Sequence, residues 1–199
     1  PAGRKYHALA YDAARAQVVL FGGFNGARLA DTWTWNGTTW TQHAPTAAPS
    51  ARELHDMAYD ETLGLVVLFG GYAGSYNAAT WTWNGSNWTQ LAPAASPTAR
   101  YSHKLAFDAA RAQLVLFGGN YNGAVQGDTW TWNGSTWTQA SPIFLPPPRE
   151  LHAMTYDASR TNVLLFGGNN NGTLLADTRT WDGIRWEQLM PASSPPARQ

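Results

Sequence analysis

An all-β chain built from four copies of one antiparallel, four-stranded unit is what this sequence predicts, and three observations carry the prediction. Arg4, Arg52, Arg100, Arg149 and Arg198 recur at intervals of 48, 48, 49 and 49 residues. Each interval holds short runs with the period-two alternation, or the continuous apolar character, of strands. Nowhere does the 3.6-residue periodicity of an amphipathic helix appear.

The elements follow in a fixed order. Each of the first four arginines opens an R-x-x-H whose histidines are His7, His55, His103 and His152. The first strand, "HALAYD", alternates large and small side chains. The second, "QVVLFGG", is a continuous apolar run, as a strand buried on both faces should be. It ends in a glycine pair eighteen residues after the arginine: Gly22-Gly23, Gly70-Gly71, Gly118-Gly119 and Gly167-Gly168. The third strand, "DTWTW", alternates Thr and Trp, and an Asn-Gly hairpin signal separates it from the fourth, "TWTQ". The extra residue of the later repeats falls between the glycine pair and the Trp motif, which predicts a loop there. Four antiparallel strands repeated at about 50 residues make a propeller blade. The blades are expected at 4–44, 52–92, 100–140 and 149–189, within a single propeller unit spanning 1–199.

Composition agrees. Lys+Arg and Asp+Glu are each 13, so the balanced charge gives no electrostatic case for a nucleic-acid or anionic-membrane partner. Charged residues make up 13%, about half the usual share, while 11 tryptophans and 19 glycines suit stacked sheets joined by tight turns. The absence of cysteine removes disulfides, thiolate metal sites and cysteine nucleophiles. No run approaches the ~18 apolar residues of a membrane-spanning helix, and Pro1 does not open a signal peptide.

The R-x-x-H strand, the Gly-Gly after "VVLF" and a spaced aromatic pair together resemble the kelch repeat family. The pairs are Trp35/Trp40, Trp83/Trp88, Trp132/Trp137 and Trp181/Trp186, with tryptophan where the family usually has tyrosine at the earlier position. The resemblance spans essentially the whole chain and implies a kelch β-propeller. Repeats one and three share "DAARAQ" and repeats two and four share "RELH", which points to duplication of a two-blade unit, natural or engineered.

The sequence starts just before a first strand and stops just after a fourth, with "PPARQ" entering the next repeat. A single chain closing alone as a four-bladed ring needs about 90° per blade, and two chains head to tail need about 45°. Kelch propellers usually have more than four blades, so the expected partner is a second copy, in a homodimer closing an eight-bladed ring. The alternative is a four-bladed monomer.

Two functional readings follow. The first is a non-catalytic scaffold or self-assembling half-propeller. The second is a module that binds a peptide, glycan or small anion at the face carrying the variable loops. On that face Arg4, Arg52, Arg100 and Arg149 are the candidate anion-binding residues. In kelch-domain adaptors of ubiquitin ligases, arginines matching this position help to grip acidic peptides, and the resemblance implies the same possibility here. A purely structural role would have each arginine bond loop carbonyls of the neighbouring blade. Phe24, Tyr72, Tyr76 and Tyr121 are the candidate stacking residues. The four histidines share parity with large packing side chains, which makes them structural, bonded to a neighbour's backbone, rather than a metal ring. The glycine pairs and the eight paired tryptophans are likewise structural, wedged between blades. Trp33, replaced by Arg179 in the fourth repeat, is expected towards a blade edge or the chain-to-chain junction. Asp12, Asp60, Asp108 and Asp157 are expected to cap turns. Ala79 replaces the aspartate found at Asp31, Asp128 and Asp177, which argues against an essential shared role for it. No catalytic set stands out, and no cofactor or metal is expected. Kelch copper oxidases need a cysteine-linked tyrosine, and G-x-S-x-G and H-E-x-x-H are both absent.

Overall fold

The computed structural model describes residues 1–199 and is all-β. Each repeat forms one four-stranded antiparallel sheet in sequence order. In the first these are β1 (Ala8–Asp12), β2 (Gln17–Phe21), β3 (Thr32–Trp35) and β4 (Trp40–His43). The second consists of β5 (Asp56–Asp60), β6 (Leu65–Phe69), β7 (Thr80–Trp83) and β8 (Trp88–Leu91). In the third, β9 (Lys104–Asp108) and β10 (Gln113–Phe117) precede a small hairpin, β11 (Asn120–Tyr121) and β12 (Ala124–Val125), then β13 (Thr129–Trp132) and β14 (Trp137–Gln139). The fourth repeats that plan with β15 (Ala153–Asp157), β16 (Asn162–Phe166), β17 (Asn169–Asn170), β18 (Thr173–Leu174), β19 (Thr178–Trp181) and β20 (Trp186–Leu189).

The segment carrying the extra residue is therefore not a plain loop in repeats three and four. Asn120 pairs with Val125, and Asn169 with Leu174, around turns containing Gly123 and Gly172 at positive φ. In both, an asparagine carboxamide closes the turn: the N–H of Gly123 donates to Asn120 Oδ1 and that of Gly172 to Asn169 Oδ1.

The chain divides into two compact units. One comprises residues 1–94 and 98–101, the other residues 95–97 and 102–199. Each contains two blades packed face to face. In the first unit Trp83 and Trp88 of the second blade join Ala8, Ala10, Val19 and Phe21 of the first in one buried cluster. The Trp88 ring meets Phe21 edge-on at 5.2 Å, and its Nε1–H donates to Thr32 Oγ1 at 2.9 Å. The second unit repeats the joint: Trp186 lies 5.2 Å from Phe117 and its Nε1–H donates to Thr129 Oγ1 at 2.9 Å. Removing two indoles and a phenylalanine from water at each joint supplies several kcal/mol, and the hydroxyl satisfies one of the two indole N–H groups, that of Trp88 or Trp186.

A second link within each unit uses the aspartate and arginine of "DAARAQ". Arg15 pairs with the buried Asp12 and reaches the carbonyl of Gly64 in the next blade at 3.2 Å; Arg111 pairs with Asp108 and reaches Thr161 O at 2.9 Å. The arginine lies across the hairpin turn of that blade, and a Cβ at Gly85 or Gly183 would run into it.

Candidate functional site

The four arginines do not present their guanidinium groups to solvent. Arg52, Arg100 and Arg149 are at most 1% exposed, and the side chain of Arg4 is 4% exposed. Each lies before its first strand, and each of the later three joins consecutive repeats through two sets of bonds. Its backbone docks on the preceding repeat. Arg52 donates its N–H to Leu29 O and accepts from Gly23 N–H (3.0 and 2.9 Å); Arg149 does the same with Gln126 and Gly119 (3.0 and 2.9 Å). Its side chain docks on its own repeat. Arg4 donates to Gly22 O at 3.0 Å and holds Asp31 with two bonds of 2.6 and 2.8 Å. Arg149 donates to Gly167 O at 2.9 Å and holds Asp177 at 2.7 and 2.8 Å. These guanidinium groups thus bond their own repeat, while contact with the neighbouring blade is made by the main chain.

That clamp accounts for both glycines of the pair. A Cβ on Gly22 would sit 2.7 Å from the Arg52 carbonyl, and one on Gly71 would sit 2.8 Å from His55 Cβ. The first glycine admits the backbone of the next repeat's arginine, and the second admits the strand carrying the histidine. All eight adopt positive φ, which Gly tolerates at no steric cost.

The aspartates were the part of this network that the sequence concealed. Asp31 accepts from Arg4 and from Trp33 Nε1 (2.6 Å), and Asp128 accepts from Trp130 Nε1 (2.7 Å). In the fourth repeat Arg179 Nε takes the indole's place on Asp177 at 2.6 Å, so the Trp-to-Arg replacement keeps a donor on the same carboxylate. Burial pushes both carboxyls up, but their donors prevail. Asp31 falls below the usual carboxylate range, and Arg149 and Arg179 bring Asp177 down to about 2. A fixed spacing of 27 or 28 residues between arginine and aspartate, followed by a donor two residues on, was the available signal.

Trp83, Trp88, Trp132, Trp137, Trp181 and Trp186 are buried, whereas Trp35 and Trp40 are half-buried. His55, His103 and His152 are buried and His7 partly so. His152 departs from the expected backbone bond: neither ring nitrogen has a hydrogen-bond partner, and the ring meets Phe117 edge-on at 5.7 Å. Burial, then the charges of Arg149 and Lys104, lower its pKa to about 3, so it is neutral at pH 7. The turn aspartates cap as expected: Asp60 Oδ1 accepts from Thr62 and Leu63 N–H, and Asp157 Oδ1 from Ser159 and Arg160 N–H.

The aromatic candidates are spread unevenly. In the first unit Lys5 Nζ lies over the Phe24 ring at 5.8 Å, and Arg28 lies over Tyr72 at 4.4 Å while pairing with Glu53 at 3.2 Å. Tyr72 tilts against Tyr76 (5.5 Å), and Tyr76 stacks on Tyr101 at 5.7 Å and 13°. With Leu54 these three tyrosines line a crevice of about 230 Å³. Tyr121, on β11 of the second unit, is 45% exposed. In comparisons with protein-family models and with curated proteins, nothing matches this sequence.

Proposed function

We propose that this chain is a non-catalytic, kelch-type propeller module that self-assembles, two copies joining head to tail as an eight-bladed ring. The observation that carries the reading is a joint made twice and left half-made twice. Within each unit a Trp pair packs on the Ala/Phe face of the preceding blade. The same Trp pair on the first blade, Trp35 and Trp40 at 5.6 Å, is half-buried. The matching face of the fourth blade leaves Ala153 and Thr155 exposed and Leu164 and Phe166 half-buried, around a depression of about 100 Å³. Thr178 stands there where Thr32 and Thr129 accept an indole N–H. One surface is therefore the complement of the other, and a second copy supplies it; head-to-tail contacts that close by rotation give finite rings.

Sedimentation equilibrium tests this directly. The expected mass is about 43 kDa, twice the 21.7 kDa of the chain. A monomer at every concentration, including tens of micromolar, overturns the assembly and leaves the four-bladed alternative.

A second reading, a binding module, draws on the tyrosine crevice. At about 230 Å³ it is below the range of a typical small-molecule pocket and suits one sugar or proline ring stacked on Tyr72. Glycan-array and peptide-library binding, lost in Tyr72→Ala, is the outcome this reading requires.

A further inference from the structure

Arg4 and Arg198 hold the same place in the repeat, and each performs half of the arginine's work. Arg4 makes the side-chain half, on Gly22 O and Asp31, and its own N–H and C=O make no bond of the clamp type. Arg198 makes the backbone half: its N–H donates to Leu175 O at 3.2 Å and its C=O accepts from Gly168 N–H at 2.8 Å. The Arg198 guanidinium donates only through Nε, to Pro196 O at 3.1 Å. That bond to the carbonyl two residues back is the one Arg52 and Arg149 make with Ser50 and Pro147 inside the units. The exposed Arg198 side chain is thus already turned as an interior arginine is.

We propose that when two copies join, Arg198 of one copy displaces Arg4 from Gly22 O and Asp31 of the other. This rests on the head-to-tail reading. If the fourth blade of one copy meets the first blade of another as the joints inside each unit do, one arginine position must serve both blades, and two arginines arrive at it. Their main chains exclude one another. Arg198 carries the bonds to its own blade with it and gains the vacant ones, completing a clamp like that of Arg149. Arg4 brings no backbone bonds to the position, so releasing it sacrifices only side-chain bonds that Arg198 restores. The half-buried carboxylate of Asp31 has a bidentate guanidinium before and after the exchange, so no partly desolvated charge is left unpaired in the dimer.

The exchange makes opposite demands on two substitutions, read as the dimer dissociation constant by analytical ultracentrifugation. Arg198→Ala, at an exposed side chain, should leave the fold intact by near-UV circular dichroism and raise the dissociation constant by about tenfold or more. Arg4→Ala should leave it unchanged or lower it, because the site on Gly22 and Asp31 is then vacant in advance. A dimer indifferent to Arg198→Ala, or weakened at least as much by Arg4→Ala, overturns the exchange while the head-to-tail dimer stands. A wild-type chain that never associates overturns both.

Discussion

Arg52 and Ala79 are joined through Gly70, whose carbonyl accepts from Arg52 at 2.8 Å and whose N–H donates to the Ala79 carbonyl at 3.2 Å. In the first and fourth repeats the residue at the place of Ala79 is an aspartate that pairs the arginine. Here the guanidinium is buried with only neutral partners, the Gly70 and Ser50 carbonyls and the Ser50 hydroxyl, and burial lowers its pKa to about 10. Trp81 Nε1, which would share the missing carboxylate, has no hydrogen-bond partner. Ala79→Asp supplies a carboxylate to a buried guanidinium that has only neutral partners and an acceptor to the unpartnered indole N–H. It should stabilise the chain by about 1–2 kcal/mol, the worth of a charge-assisted hydrogen bond less the cost of desolvating the new carboxylate. Urea unfolding at pH 7 measures it, and a variant no more stable than the parent contradicts the account of the network.

The glycine pair yields a prediction of opposite sign. Gly71 has φ +93°, and a Cβ there would lie 2.8 Å from His55 Cβ and 2.9 Å from Glu53 O. Neither neighbour is the free end of a flexible side chain, so the strain has no cheap release. Gly71→Ala should cost about 3 kcal/mol, from an unfavourable backbone conformation and an overpacked contact together. A midpoint shift equivalent to less than about 1 kcal/mol in urea would show that the two strands can part.

Equivalent tryptophans should report different things. Trp88 is 1% exposed inside a joint, so Trp88→Ala should destabilise the fold by about 3–5 kcal/mol. Trp40, its counterpart on the first blade, is half-buried, and Trp40→Ala should cost the isolated chain much less while abolishing the dimer. Paired measurements of unfolding and sedimentation separate the two effects. Equal losses of stability, with association unchanged in Trp40→Ala, would remove Trp40 from the proposed interface.

Sequence periodicity revealed the four sheets because strand alternation, the Asn-Gly turns and the glycine pairs are local signals, each written within about twenty residues. The Asn-Gly expectation holds down to its atoms: Asn36 Oδ1 accepts from Thr38 and Thr39 N–H, and Asn84 Oδ1 from Ser86 and Asn87 N–H. What stayed hidden was relational. Asp31 read only as the residue opening the Trp strand because its partner is 27 positions away, and Ala79 argued against an essential shared role when it marks a gap in the network. The hairpins β11–β12 and β17–β18 were hidden for another reason: two-residue strands are too short to show any period. The inward turn of Arg4, Arg52 and Arg149 brings each guanidinium to the carbonyl of the first Gly of its pair, eighteen residues on.

His152 ties the joint of the second unit to pH. Its pKa is lowered from 6.5 to about 3 by burial first and then by Arg149 and Lys104. The unfolded chain therefore takes up a proton near pH 6.5 that the folded chain refuses until about pH 3. The contribution of this group is whole above pH 6.5 and is lost as pH falls, by up to about 1.4 kcal/mol per pH unit. His7 and His43 are also lowered, by burial, and add to the same trend, so a variant is needed to isolate His152. Its nitrogens make no hydrogen bonds, so His152→Leu, similar in size, should be near neutral in stability at pH 7.5. Between pH 7.5 and 5.0 the wild-type chain should lose about 2 kcal/mol more than the variant in urea unfolding. Parallel losses in the two proteins would mean that His152 is protonated in the folded chain and that its surroundings are wetter than a 2% exposed ring implies.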